Sequence, residues 1–226
     1  MVRGIPTNAP LAGWPLWPLA LLCALLPVVA AHLGWWISTA QGLVPACNPY
    51  LDGCVSISRA SRHGLGNVLF RMLMLPAATL QALCWLAAAT WVQRDGERVR
   101  WPAWLGCVAA VALVMYASFL GGEGRTYELL RRYGIYFYFG CTYLALLAVL
   151  RRLARPAIAY RPLIVVAWGC LAFGLASVAV RYAMQDEALL DRWENLLEWH
   201  TALWLTASFA VLAWAWWRER LRVRLV

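Results

Sequence analysis

The sequence predicts an all-α fold, a polytopic membrane bundle of six transmembrane helices with both termini in the cytoplasm. Three observations carry this. First, 63% of the 226 residues are hydrophobic and 14% are charged, against about 45–50% and about 25% in a soluble domain. A soluble globule of this size has too little interior to hide that excess. Second, six apolar runs of about 18 residues or more follow one another, each long enough to cross a bilayer. Third, none of the runs alternates with period two, which argues against barrel strands. Backbone amides in lipid must find partners within their own segment, so the runs are helices. Residues 1–226 are then one transmembrane domain with no soluble domain beside it.

The runs are Trp14–Ile37, Val68–Val92, Pro102–Leu120, Tyr133–Leu150, Pro162–Val180 and Leu197–Trp217. The first has Arg3 ahead of it and Ala30 and Ala31 inside it, features shared with a secretory signal peptide. It continues past them to Trp35 and Trp36, and Trp14 and Trp17 stand at its start. Aromatic pairs at both ends fit a retained helix. Pro76 should kink the second run. Gly169, Ala172, Ala176 and Ala179 share a face of the fifth, where small residues let a neighbouring helix come close.

Arginine counting orients the bundle. All 20 basic residues are Arg, and the net charge is +9. The side holding both termini carries twelve, including Arg3, Arg94, Arg98, Arg100 and Arg224, and the other side carries eight. The positive-inside rule therefore places the termini in the cytoplasm. Positive charge of this kind implies contact with anionic membrane lipids rather than nucleic acid. A basic complement without Lys points to a GC-rich coding bias and hence to a bacterial inner membrane. On the inner side only Asp95, Glu97 and Glu219 are acidic, while the other eight acids lie outside. Acids weigh little in topology, so the skew directs attention to the outer face.

All three histidines fall on that face: His32 near the end of the first helix, His63 before the second, and His200 early in the sixth. Asp52, Glu123 and Glu198 share their depth, and Arg71 and Arg181 sit at outer helix ends. Ionisable groups at a membrane rim are costly and commonly functional. Glu198 precedes Trp199 and opens an apolar helix, so it is expected to turn inward and pair with an Arg, Arg71 in preference to Arg181. Three histidines with carboxylates are also compatible with zinc or an activated water. However, no two His are four apart, no HExxH exists, and Glu198 and His200 face differently on one helix, so no metal is assigned and no cofactor is expected. Ser56, Ser58 and Ser61 precede His63, but no GxSxG elbow surrounds them. No phosphate-binding Gly-rich loop is present.

Five of the seven cysteines lie within the runs. Cys47 and Cys54 share the first outer loop and form a disulfide if that side is oxidising. A loop this short gains about 2.5 kcal/mol in the chain-entropy account. Thr126 can cap a helix start, with Glu128 and then Arg131 and Arg132 in the order a helix dipole favours, so Thr126 to Arg132 is expected to be the exposed first turns of the fourth helix or a brief surface helix leading into it.

Two outer patches carry a family likeness. Tyr50-Leu51 is followed by Ser56-Ile57-Ser58 and then by Phe70-Arg71, and Asn195 leads into Glu198-Trp199. These patches resemble the Frag/DRAM/Sfk family of six-helix membrane proteins, which includes the damage-regulated autophagy modulators and the Golgi factor for lipid remodelling of GPI anchors. The likeness covers the six-span layout and about ten residues in detail. Asp52, Gly53 and Cys54 are insertions relative to it, and Gly64, Gly66 and Asn67 replace the Pro and acidic or amide pair before the second helix. The resemblance implies a lipid-related role without a shared catalytic mechanism, and a bacterial source would exclude GPI as substrate.

The leading expectation is therefore an integral membrane protein whose outer polar site recognises or helps process a lipid headgroup, centred on Arg71, Glu198 and His63. The alternatives are a metal- or Ser-dependent hydrolase using His32, His63, His200 and Glu123, a small transporter, and a structural subunit of a partner protein. Transport is disfavoured by helix centres without charge, where Gln81 is the clearest polar side chain.

Overall fold

A computed structural model describes residues 13–93, 100–155 and 157–223. Arg3, Arg94, Asp95, Glu97, Arg98 and Arg224, which entered the orientation count, lie outside the described residues. Six long helices are apolar enough to span a membrane: α1 (Trp17–Ala40), α4 (Gly64–Trp91), α5 (Trp101–Phe119), α6 (Arg125–Arg152), α7 (Tyr160–Ala183) and α8 (Glu187–Arg218). The chain is a multi-pass membrane protein. Between α1 and α4 two single-turn helices occur, α2 (Pro49–Asp52) and α3 (Ile57–Ala60). Two-residue strands β1 (Trp14–Pro15) and β2 (Arg222–Val223) pair antiparallel, which brings the first and last described residues together at one end of the bundle.

The helices differ from the sequence expectation mainly at their ends. The first begins at Trp17, because Trp14 and Pro15 pair with β2. The fourth begins at Arg125, so the segment from Thr126 to Arg132 forms its first turns rather than a separate surface helix. Its N-cap is Gly124, with no side-chain cap, so Thr126 lies inside the helix. Glu128 then pairs with Arg132 across one turn at 2.9 Å. The sixth begins at Glu187, capped by the Asp186 carboxylate, which accepts from the N–H groups of Ala188 and Leu189. Glu198 consequently lies about three turns into α8 instead of opening it. Both early starts reflect polar first turns that project beyond the apolar span, where solvent tolerates them and a hydropathy reading stops short. α1 and α4 run without a break past Pro27 and Pro76.

Packing follows small residues. A Cβ on Gly134 of α6 would come within 2.9 Å of the Tyr116 backbone nitrogen, so α5 and α6 can approach closely only with glycine there. On the α7 face of small residues, Gly169 closes against the Trp204 ring of α8, while Ala172 and Ala179 remain exposed. That face is thus used at one position. Trp85, Phe209, Leu113, Leu146 and Trp216 fill the interior. Leu83, Val111, Trp168 and Leu175 point outward, as lipid-facing side chains should. Gln81 is buried with its Nε2 unpartnered.

Candidate functional site

The loop between α1 and α4 is a folded lid over the end of the bundle opposite the β1–β2 pair. Asn48 caps α2 by accepting from the Tyr50 N–H at 3.0 Å, and its own N–H donates to Asp52 at 2.9 Å. Pro49 occupies the first helical position, where its missing N–H costs nothing. Cys47 and Cys54 form a disulfide across this turn. Gly53 adopts φ 60°, and a Cβ there would collide with the backbone carbonyl of Arg192. Only glycine satisfies both the left-handed backbone and the close approach. Ser56 then caps α3 by accepting from the Arg59 N–H at 3.1 Å and exchanges a 3.2 Å hydrogen bond with Ser58. The Ser38 hydroxyl of α1 donates to the Ala60 carbonyl at 2.6 Å.

α8 latches this lid with a ladder of side chains. Arg59 and Asp191 form a bidentate ion pair at 3.0 and 2.6 Å. The Asp191 hydrogen bond holds Arg59 above the ordinary arginine range. Arg192 Nε donates to the Asp52 carbonyl at 2.8 Å, and buried Asn195 donates to the Gly53 carbonyl at 3.0 Å. Trp199 Nε1 donates to the Val55 carbonyl at 2.9 Å. Glu198 Oε1 accepts from the Ser58 N–H at 3.3 Å. The carboxylate thus serves backbone donors at the start of α3 instead of a guanidinium. Arg71 is exposed, and Arg181 pairs with Glu194 at 2.9 Å, so neither is the partner expected from the sequence. With Glu198 further inside α8, its nearest backbone neighbours are those of the lid, which had no predictable position.

Tyr50 is the hinge between the lid and the bundle. Its ring packs edge-on against Trp199 and His200, and its backbone carbonyl accepts from His200 Nε2 at 3.2 Å. Burial pushes its phenol above the usual range, so it stays protonated and can donate. His32 Nδ1 is 2.7 Å from the Val28 carbonyl, which only accepts, so Nδ1 carries the proton and Nε2 accepts the Tyr50 hydroxyl at 3.1 Å. His200 is stacked on Phe173 of α7, with ring centroids 5.1 Å apart.

Beneath the lid is a cavity of about 60 Å³. Its roof is polar, with Glu198, His32 and Tyr50. Its walls are apolar, among them Phe70, Met74, Leu113 and Phe139, with Tyr116, Tyr138 and Thr206 as the remaining polar contributors. Several contributors flank the seam between α6 and α8, two helices that meet only slightly. Leu203 lines the cavity and is also exposed on the outside of the bundle, which turns the cavity toward the side wall.

Among the residues expected from sequence, the structure gathers Glu198, His32, His200, Ser56 and Ser58 around the lid and cavity. His63 is exposed and meets α4 through its backbone only. Arg71 and Glu123 are exposed and line no part of the cavity. Among the described residues, no three His, Cys, Asp or Glu side chains are grouped to hold a metal. Sequence reading missed the Arg59–Asp191 pair and Tyr116. It named Tyr50 and Asn195 only through the family resemblance. Chain compared with known proteins, the sequence matches no family model and no curated protein, and the structure matches no solved structure. Fold and lid together define a six-helix multi-pass membrane protein with a disulfide-bonded, latched cap.

Proposed function

We propose that this protein is a lipid-recognising integral membrane protein of the Frag/DRAM/Sfk type, with the cavity under the lid as its lipid site. The observation that carries this reading is the cavity itself. It combines a polar roof with apolar walls and lies beside a weakly packed helix seam. A lipid presents the same sequence of chemistry, a polar headgroup region above an acyl chain. Site cavities of this type are mostly apolar with a few convergent polar groups. The residues of the family resemblance support the reading. Tyr50, Ile57, Phe70, Glu198 and Trp199 all line the cavity, and Asn195 and Ser56 hold the lid above it, although the two patches are about 130 residues apart in the chain.

The disulfide supports an orientation with the lid on an oxidising side and both termini in the cytoplasm. The all-Arg basic complement supports a bacterial inner membrane as the location. The lid is anchored by neutral and ionic hydrogen bonds that a headgroup can replace, so lipid entry is coupled to lid movement.

The test is lipid retention. Protein purified in mild detergent is expected to carry phospholipid detectable by mass spectrometry. Ala202→Phe, which places a ring in the cavity, is expected to lose most of it while keeping the helical circular-dichroism spectrum. Equal lipid retention by Ala202→Phe and wild type would refute the cavity as the lipid site.

A further inference from the structure

The cavity under the lid holds a carboxylate that no cation inside it answers. Glu198 lines the cavity, and its Oε1 accepts from the Ser58 N–H at 3.3 Å. Among the described residues it makes no ion pair. The lid arginines Arg59 and Arg62 line no part of the cavity, and Arg59 is held by Asp191. His32 lines the roof, but its Nδ1 proton goes to the Val28 carbonyl and its Nε2 accepts from Tyr50, which makes it a neutral imidazole. The charge facing the cavity is therefore a single negative one, and a carboxylate at membrane depth calls for a partner.

The hydrogen bonds of the lining side chains point the same way. Tyr50 spends its proton on His32, and Thr206 donates to the Ala202 and Leu203 carbonyls, both at 2.9 Å. Each hydroxyl leaves only lone pairs for a ligand. Trp199 Nε1 is turned to the Val55 carbonyl. Tyr116 and Tyr138 carry rotatable hydroxyls that serve as donor or acceptor. An ammonium, with donors and no acceptor, complements such a lining. Six aromatic rings surround the same space in three packed pairs, Tyr50–Trp199, Phe70–Tyr116 and Tyr138–Phe139, with centroids 5.2, 6.2 and 5.5 Å apart. Aromatic faces attract organic ammonium groups, most strongly where water is excluded. A hard metal ion would instead need several oxygen ligands, and Glu198 is the one carboxylate in the lining.

The geometry points to a primary ammonium as the group this cavity takes, carried by an aminophospholipid of the phosphatidylethanolamine class. Glu198 receives the charge. Tyr50, packed on the residue after Glu198, accepts an N–H, and the ring pairs enclose the cation. A trimethylammonium group has no N–H to give these acceptors. At about 60 Å³ the cavity holds the amine end of such a lipid, and Leu203 turns it toward the side wall, through which the rest of the molecule reaches the bilayer. The lipid source rests on the lipid reading above; the ammonium site does not.

Thermal unfolding of the full-length protein in detergent tests it with short-chain phosphatidylethanolamine, phosphatidylcholine and phosphatidylglycerol of matched chains, and with free ethanolamine. Phosphatidylethanolamine is expected to raise the Tm most and to bind about tenfold or more tightly than the other two lipids. Glu198→Gln keeps an oxygen for the Ser58 N–H and removes the charge, so it should bring the three lipids within about twofold of one another. Phe70→Leu, which opens the ring cage, should lower the preference about threefold or more. Equal binding of the three lipids by wild type would overturn the ammonium site. So would an undiminished preference in Glu198→Gln or, where that variant does not fold, in Phe70→Leu. Stabilisation by free ethanolamine equal to that by phosphatidylethanolamine would keep the site and overturn its lipid source. If the preference is absent while Ala202→Phe still loses its co-purified lipid, the cavity reading survives without this inference.

Discussion

Asn195 shows how much one buried amide decides here. Its side chain is 3% exposed and donates to the Gly53 carbonyl and, at 3.3 Å, to Asp191. Replacing it with Ala leaves a buried carbonyl without its donor, and a loss of about 1–3 kcal/mol is expected in chemical unfolding. Gly53→Ala is expected to cost at least as much, because the left-handed backbone and the Arg192 carbonyl both oppose a Cβ. A wild-type Tm for Gly53→Ala would show that the lid is not seated on α8. The Arg59–Asp191 pair looks stronger than it is. Its side chains are 44% and 48% exposed, so a double-mutant cycle should return a coupling below about 1 kcal/mol that shrinks with added salt. None of these partners was legible in the sequence. Asn195 and Asp191 are polar residues in the first turns of a long helix, a place where polarity needs no special explanation. Their importance comes from a loop whose path the sequence does not disclose.

At the scale of elements, the lid depends on two kinds of constraint. The disulfide closes the α2 turn internally, and the α8 ladder attaches that turn to the bundle. Removing the covalent link by Cys47→Ala with Cys54→Ala should lower stability by about 2.5 kcal/mol in the chain-entropy account. The helical content should persist, because the ladder remains. Melting of wild type with and without reductant measures the same quantity, and an unchanged Tm would mean that the ladder alone fixes the lid. The helices were legible from hydropathy because lipid demands long apolar runs. The start near Arg125 was legible too, because Thr126 to Arg132 carries the charge order of a helix beginning; the start at Glu187 was not, since the acids and Arg192 that interrupt its first turns end the hydropathic run. The cap at Asp186 is a recognisable signal, but it stands eleven residues ahead of the apolar run that begins at Leu197.

For the whole molecule, the pairing of Trp14–Pro15 with Arg222–Val223 brings the first and last described residues together. Reporter fusions after Arg155 and after Arg222 are expected to report the cytoplasm together. Cys47 and Cys54 should resist externally added thiol reagents until reductant is present. A split reporter result would reverse or abolish the orientation, and free thiols at both positions in native membranes would remove the oxidising-side assignment of the lid.

Composition and period determined the class of this protein without help from the structure. An apolar excess of this size has no place in a soluble core, and runs of this length have one stable form in lipid. The disulfide was readable for a similar reason, since Cys47 and Cys54 are the two cysteines of one short loop. The site was a different matter. Charge and depth singled out Glu198, yet its partner is the Ser58 backbone and not Arg71. Hydrophobic periodicity specifies which face of a helix is buried, not which helices meet. The cavity and the latch arise where the lid meets α8 and where α5 and α6 pack beside it, with close approach at Gly53 and Gly134. Contacts between residues more than a hundred positions apart are decided only when the helices have packed.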